Sequence, residues 1–161
     1  MNAVWKFFEW ISGKMRNIGA LMLMAMTALT CVDVVGRLFA HPVFGSIELM
    51  YLMGAIATAM ALPDTHINNG HIGVELFVNK LPRTPRAVVE IMVGFLSLAL
   101  FCIVTYKMFE YSIKFRNSGE VSMNLGLPEY LIILVVAFSF LIFTIFILRS
   151  ILQSFDRLRG K

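Results

Sequence analysis

The chain has 161 residues, 58% hydrophobic and 15% charged, and its 14 Lys and Arg outweigh 10 Asp and Glu to give +4. A water-soluble domain of this length carries about a quarter charged residues; with a mean hydropathy of +0.78 gathered into long blocks, the composition excludes both a soluble globule and disorder. The basic residues flank apolar blocks, a pattern of membrane topology and not of nucleic-acid binding.

Taken in chain order, the first element is Trp5 to Met15. Trp5, Phe8, Ile11 and Met15 recur at helical spacing, with Lys6, Glu9 and Gly13 on another side. Tryptophan and basic residues beside an apolar face predict an amphipathic helix lying in the membrane interface. Charge-free runs then mark four spans: Asn17–Val32, Leu49–Pro63, Ile91–Tyr106 and Tyr130–Leu148, of 16, 15, 16 and 19 residues. About 20 apolar residues cross a ~30 Å hydrocarbon core, so the first three must extend through flanking charges whose side chains snorkel toward the headgroups. The predicted spans are 17–38, 45–64, 88–109 and 128–149. A cleaved signal peptide is the competing reading of the N-terminus. Aromatic residues precede the basic ones, however, and the first run continues into Asp33 and Arg37, which favours a retained span.

Asp33 and Arg37 stand at i,i+4 and can pair on one helix face. Glu48 opens the second span 11 residues after Arg37. Charges near the ends of a span cost less than the ~2.5–3.5 kcal/mol of a midplane charge, so these three are read as a cluster that locks the first hairpin or docks it on a partner. An ion or substrate site is the alternative. Between the second and third spans, Asn68-Asn69-Gly70 precedes a segment in which His71, Glu75 and Asn79 form one polar stripe while Ile72, Leu76 and Phe77 point elsewhere. Pro82 and Pro85 end that pattern. It predicts a short amphipathic helix, 71–81, on the cytoplasmic surface. The segment from Glu110 to Gly126 reads as a polar outer loop carrying Lys114 and Arg116. Pro128-Glu129 then reads as the start of the fourth helix.

Four spans put both termini on one side. The termini and the middle connector hold ten basic residues and the opposite side four, Arg37, Lys107, Lys114 and Arg116, which places both termini in the cytoplasm. The expected fold is thus an all-α, single-domain, four-span membrane protein with one interfacial and one connector helix. Cys31 and Cys102 form no CxxC pair. His41, His66 and His71 lie outside the apolar runs, where axial haem ligands are not expected. With no phosphate loop, nucleophile motif or metal-ligand spacing, no enzyme, metal site or cofactor is expected. A minimal four-helix carrier acting as a homo-oligomer is the alternative function, but such carriers need two halves of opposite orientation. Here both hairpins run the same way and no acid lies mid-span.

Arg37 ends the first span, Glu48 opens the second within Gly45-Ser46-Ile47-Glu48, and after a span-length gap His71 and Glu75 precede Leu81-Pro82. In order and spacing, the stretch Arg37 to Pro82 resembles the small membrane subunit of tripartite ATP-independent periplasmic (TRAP) transporters, the DctQ-type family, with Arg37, Glu48, His71 and Glu75 at matching positions. The resemblance implies a bacterial inner-membrane scaffold, or stator, for a large DctM-type permease that holds sodium and substrate. It also implies a periplasmic DctP-type binding protein that delivers an organic-acid anion, with Lys114 and Arg116 as candidate docking residues for it.

Overall fold

The structure, a computed structural model, describes residues 2–67 and 83–158. Four helices account for nearly all of them: α1 (Asn2–Leu38), α2 (Ser46–Ile67), α3 (Arg83–Ser118) and α4 (Glu129–Leu158). All four are long and apolar enough to cross a membrane, and no strand occurs among the described residues. The all-α, four-span reading of the sequence therefore holds. The proposed connector helix, with His71 and Glu75, lies outside the described residues.

Two expectations are corrected. The N-terminal segment is not a separate interfacial helix: α1 runs unbroken from Asn2 through the first span to Leu38. Nothing between Trp5 and Arg16 stops a helix, since Gly13 alone costs only about 1 kcal/mol relative to alanine. The aromatic stripe instead packs within the protein. Phe8, Ile11 and Met15 join Ile142 and Phe146 of α4 and Met60 and Ile67 of α2 in one apolar cluster, and the rings of Phe8 and Phe146 meet edge-on at 6.4 Å. In addition, α3 continues eight residues beyond Glu110, so Lys114 and Arg116 sit on its last turns rather than in a loop. Neither glycine nor proline occurs between Glu110 and Gly119, where φ is +68°, and the helix ends there.

The helices pack as α1 on α2, α2 on α4 and α4 on α3, which makes a row in the order α1, α2, α4, α3. A second apolar cluster seals the far side of α4: Phe143, Ile147 and Ile151 against Leu62 of α2 and Leu98 and Phe101 of α3. The two middle helices are partly covered, whereas α1 and α3 leave most of their apolar surface bare. Leu21, Met24, Met92, Leu96 and Leu100 are all exposed. Five hydroxyls within the spans are satisfied locally, since Thr27, Thr30, Thr58, Thr65 and Thr144 each donate to the carbonyl four residues back at 2.8–2.9 Å, whereas those of Ser12, Thr105 and Ser139 are buried with no partner among the described residues. Such a local bond is how a polar side chain tolerates an environment without water.

Candidate functional site: a polar clasp at the loop end

The four helices leave their two short connections, 39–45 and 119–128, at the same end of the row, and the buried charges gather there. Asp33 is 3% exposed. Its Oδ2 accepts from Arg37 Nε at 2.8 Å, one helical turn on, and its Oδ1 accepts from the backbone N–H of Val43 at 3.0 Å. The Ser46 hydroxyl, opening α2, also bonds to this carboxylate. Asp33 therefore ties α1 to the loop and to the start of α2. The chain reverses tightly after α1: Gly36 O accepts from Phe39 N at 3.1 Å and His41 N at 2.8 Å. A Cβ on Gly36 would stand 2.4 Å from His41 O, and Ala40 adopts φ +58°. Only glycine leaves room for that return at position 36.

Glu48, in the first turn of α2, is 2% exposed. Its Oε2 accepts from the backbone N–H groups of Asn124 and Leu125 at 3.1 and 3.3 Å, across 76 and 77 residues of chain. Ser122 adds a side-chain hydrogen bond to it, and Oε1 has no partner among the described residues. The receiving loop is shaped for this. Ser122 N donates to Leu127 O at 2.9 Å, Gly126 N to Ser122 O at 3.1 Å, and Leu127 N to Ser122 Oγ at 2.9 Å, with Gly126 at φ +63°. This curl aims two successive N–H groups outward at one carboxylate. The negative charge also faces the N-terminus of α2, where the helix dipole favours it. Beside it, Gly45 at φ +71° is covered by Leu125, whose Cγ would lie 2.7 Å from an added Cβ. Ser112 of α3 completes the end by donating to Tyr130 O of α4 at 3.0 Å.

The three charges picked out from the sequence thus fall at one end of the fold, but in two separate groups and not in one cluster. Arg37 belongs to Asp33, and Glu48 reaches the other hairpin. Lys114 and Arg116 lie on the exposed last turns of α3, where Lys107 and Glu110 pair at 2.6 Å. Sequence reasoning missed Ser122, Asn124 and Leu125. Leu125 contributes only its backbone N–H, which carries no residue signature; a Ser, an Asn and a Gly spaced to curl the loop were the one available signal.

At the opposite end, charges pair on the surface. Arg16 Nη1 donates to Asp64 Oδ2 at 3.3 Å, and Arg149 Nη1 donates to Glu9 Oε1 at 2.6 Å while its guanidinium lies 4.9 Å from the Trp5 ring centre. Among the described residues no three His, Cys, Asp or Glu come together as metal ligands, and Cys31 and Cys102 are free and exposed on separate helices.

Fold and clasp define a multi-span membrane protein whose buried polar groups serve its own cohesion. The family model for the DctQ component of tripartite ATP-independent periplasmic transporters matches residues 26–157. The chain belongs to that family and is a small subunit of a TRAP transporter, a family of transporter components and not of enzymes. No curated protein and no solved structure matches the chain.

Proposed function

We propose that this subunit is a rigid membrane scaffold, or stator, for a large DctM-type permease. In this reading the permease takes up an organic-acid anion, a carboxylate or a sulfonate, coupled to sodium, with substrate delivered by a periplasmic DctP-type binding protein. The observation that carries the reading is the division of labour in the row. Every buried charge and loop contact at the clasp joins one part of the chain to another, while the apolar faces of α1 and α3 are left for something outside it. A body whose two hairpins are fastened together is suited to standing still while a neighbour moves. Its membrane is the bacterial inner membrane, with both termini cytoplasmic on the basic-residue count and the clasp in the periplasm. Sodium and substrate are assigned to the permease, and His71 and Glu75 to the cytoplasmic surface.

Affinity purification of tagged full-length chain from native membranes in mild detergent tests this. A many-span permease co-eluting in equal amount, together with loss of organic-acid uptake when the chain is deleted, is the expected result. Recovery of self-associated chain alone, with uptake intact in the deletion strain, would overturn it and return attention to an autonomous carrier.

A further inference from the structure

The charge-free runs of α1 and α2 are level, since their bounding charges Arg16 and Asp64 pair, but those of α4 and α3 are not level with them. Because α4 contacts α3 on one side and α2 and α1 on the other, it serves as the ruler. Arg149, the first charge beyond the termini end of its run, meets Glu9 of α1. The corresponding charge on α1 is Arg16, seven residues further toward the loop end, or about 10 Å at 1.5 Å per residue. On the other side the offset reverses. Ser112 of α3 is level with Tyr130, the loop-end limit of the α4 run, yet the α3 run stops at Tyr106, six residues nearer the termini, or about 9 Å. The termini end of α3 agrees: Gly94 is pressed against Ile151, three residues beyond Leu148, and the α3 run extends three further to Ile91, again about 9 Å. The apolar band is therefore level from α1 to α2, where Arg16 meets Asp64, and then steps in one direction through α4 to α3, by about 19 Å in all.

An upright row cannot sit in a bilayer. With the helix axes along the membrane normal, the only slab free of charge on α1, α3 and α4 together lies between the levels of Tyr106 and Asn17, about 9 Å against a hydrocarbon core of ~30 Å. Arg16, 56% exposed, and the Lys107–Glu110 pair, 64% and 56% exposed, would then face lipid at depth. Charges on a lipid-facing surface are strongly disfavoured there. Rotating the row within its own plane brings the bands level.

We infer that the helix row lies in the membrane tilted along its own plane, with the α1 edge displaced toward the termini side and the α3 edge toward the loop side. A 19 Å step across a row at most three interhelix spacings of ~9 Å wide corresponds to a tilt of at least about 35°, at the upper end of the range seen for membrane helices. Tilt also accounts for the length of α1 and α3, 37 and 36 residues, since a leaning helix needs more residues to cross. The Arg16–Asp64 pair then lies at the headgroups of one leaflet and Lys107–Glu110 at those of the other. The inference rests on the register of the helices and not on the stator reading.

Depth measurement tests it. Single cysteines are placed at exposed positions in a Cys31→Ala, Cys102→Ala chain, spin-labelled in phosphatidylethanolamine–phosphatidylglycerol vesicles, and read by oxygen against nickel-chelate collision. Ile18, Leu148 and Met92, all exposed, are expected at one depth to within ~5 Å, and so are Val32, Leu131 and Tyr106 in the other leaflet. An upright row would spread the first set over about 20 Å and the second over about 15 Å, and either spread overturns the inference. Polarised infrared absorption of the unlabelled chain in oriented bilayers gives a reading free of substitutions: a mean helix tilt above ~25° is expected, and one below ~15° overturns it.

Discussion

The two ends of the helix row both hold carboxylates, and they use them differently. At the loop end Asp33 and Glu48 are withdrawn from the surface and accept hydrogen bonds from backbone N–H groups of Val43, Asn124 and Leu125. At the termini end Glu9 and Asp64 pair with arginine side chains near the surface. A buried backbone donor has one position and one direction, so an acid that satisfies it fixes the chain around it. A surface ion pair between long side chains gains little and can re-form in several geometries. The loop end therefore carries geometry, and the termini end carries charge placement.

The sharpest way to break this difference is Glu48→Ala. It leaves two buried N–H groups without an acceptor, each at about 1–3 kcal/mol, and should release the 119–128 loop from α2. The expected outcome is the largest loss of thermal stability of any single substitution here, read by fluorescence size exclusion after heating in detergent. It should be accompanied by new protease sensitivity between Gly119 and Pro128. Glu48→Gln retains an acceptor oxygen and should recover much of the loss. Wild-type stability for the alanine variant would show that the clasp does not join the hairpins.

Asp33→Ala comes next. It orphans one backbone donor, that of Val43, so about half the loss is expected on the same count, with accessibility changes confined to residues 39–45. Arg37→Ala should be milder still, because Arg37 is half exposed and the backbone bond to Asp33 survives. Equal effects from the two would assign the cluster to the ion pair and not to the loop.

Gly45→Ala sharpens the comparison sterically. Its φ of +71° and the nearness of Leu125 predict about 1–2 kcal/mol of destabilisation. Gly45→Ala with Leu125→Ala should regain the contact part of that loss and not the backbone part. Complete recovery would remove backbone strain from the account. The smallest effect belongs to the other end. Arg16→Ala breaks a half-exposed pair and should change stability by under about 1 kcal/mol, with most of the difference disappearing in high salt. A loss as large as that of Glu48→Ala would erase the distinction between the ends.

Some of this was readable in the amino acids and some was not. The spans were legible because each charge-free run reports its own transfer into lipid, and Glu129 was legible as a helix start from the proline before it. Asp33 with Arg37 was legible from i,i+4 spacing alone. The same local reading failed at Trp5–Met15, where an amphipathic stripe suits a lipid interface and a helix-packing face equally well; only Ile142 and Phe146, some 130 residues away, decided between them. It failed again at Lys114 and Arg116, where polar composition suggested a loop although nothing before Gly119 breaks a helix.

What the sequence determined by itself was the class of molecule: four spans, two connections at one end, and charges confined to the ends of the apolar runs, all of which follow from free energies local to a dozen or so residues. What only the tertiary structure decided was which groups those charges serve and how the runs stand against one another. The partner of Glu48 is a pair of peptide N–H groups 76 and 77 residues away, and the stagger of the apolar bands exists only once Ser112 meets Tyr130 and Glu9 meets Arg149. Hydropathy fixes that a helix enters the membrane, but its register against its neighbours is set by side chains that interlock after it has done so.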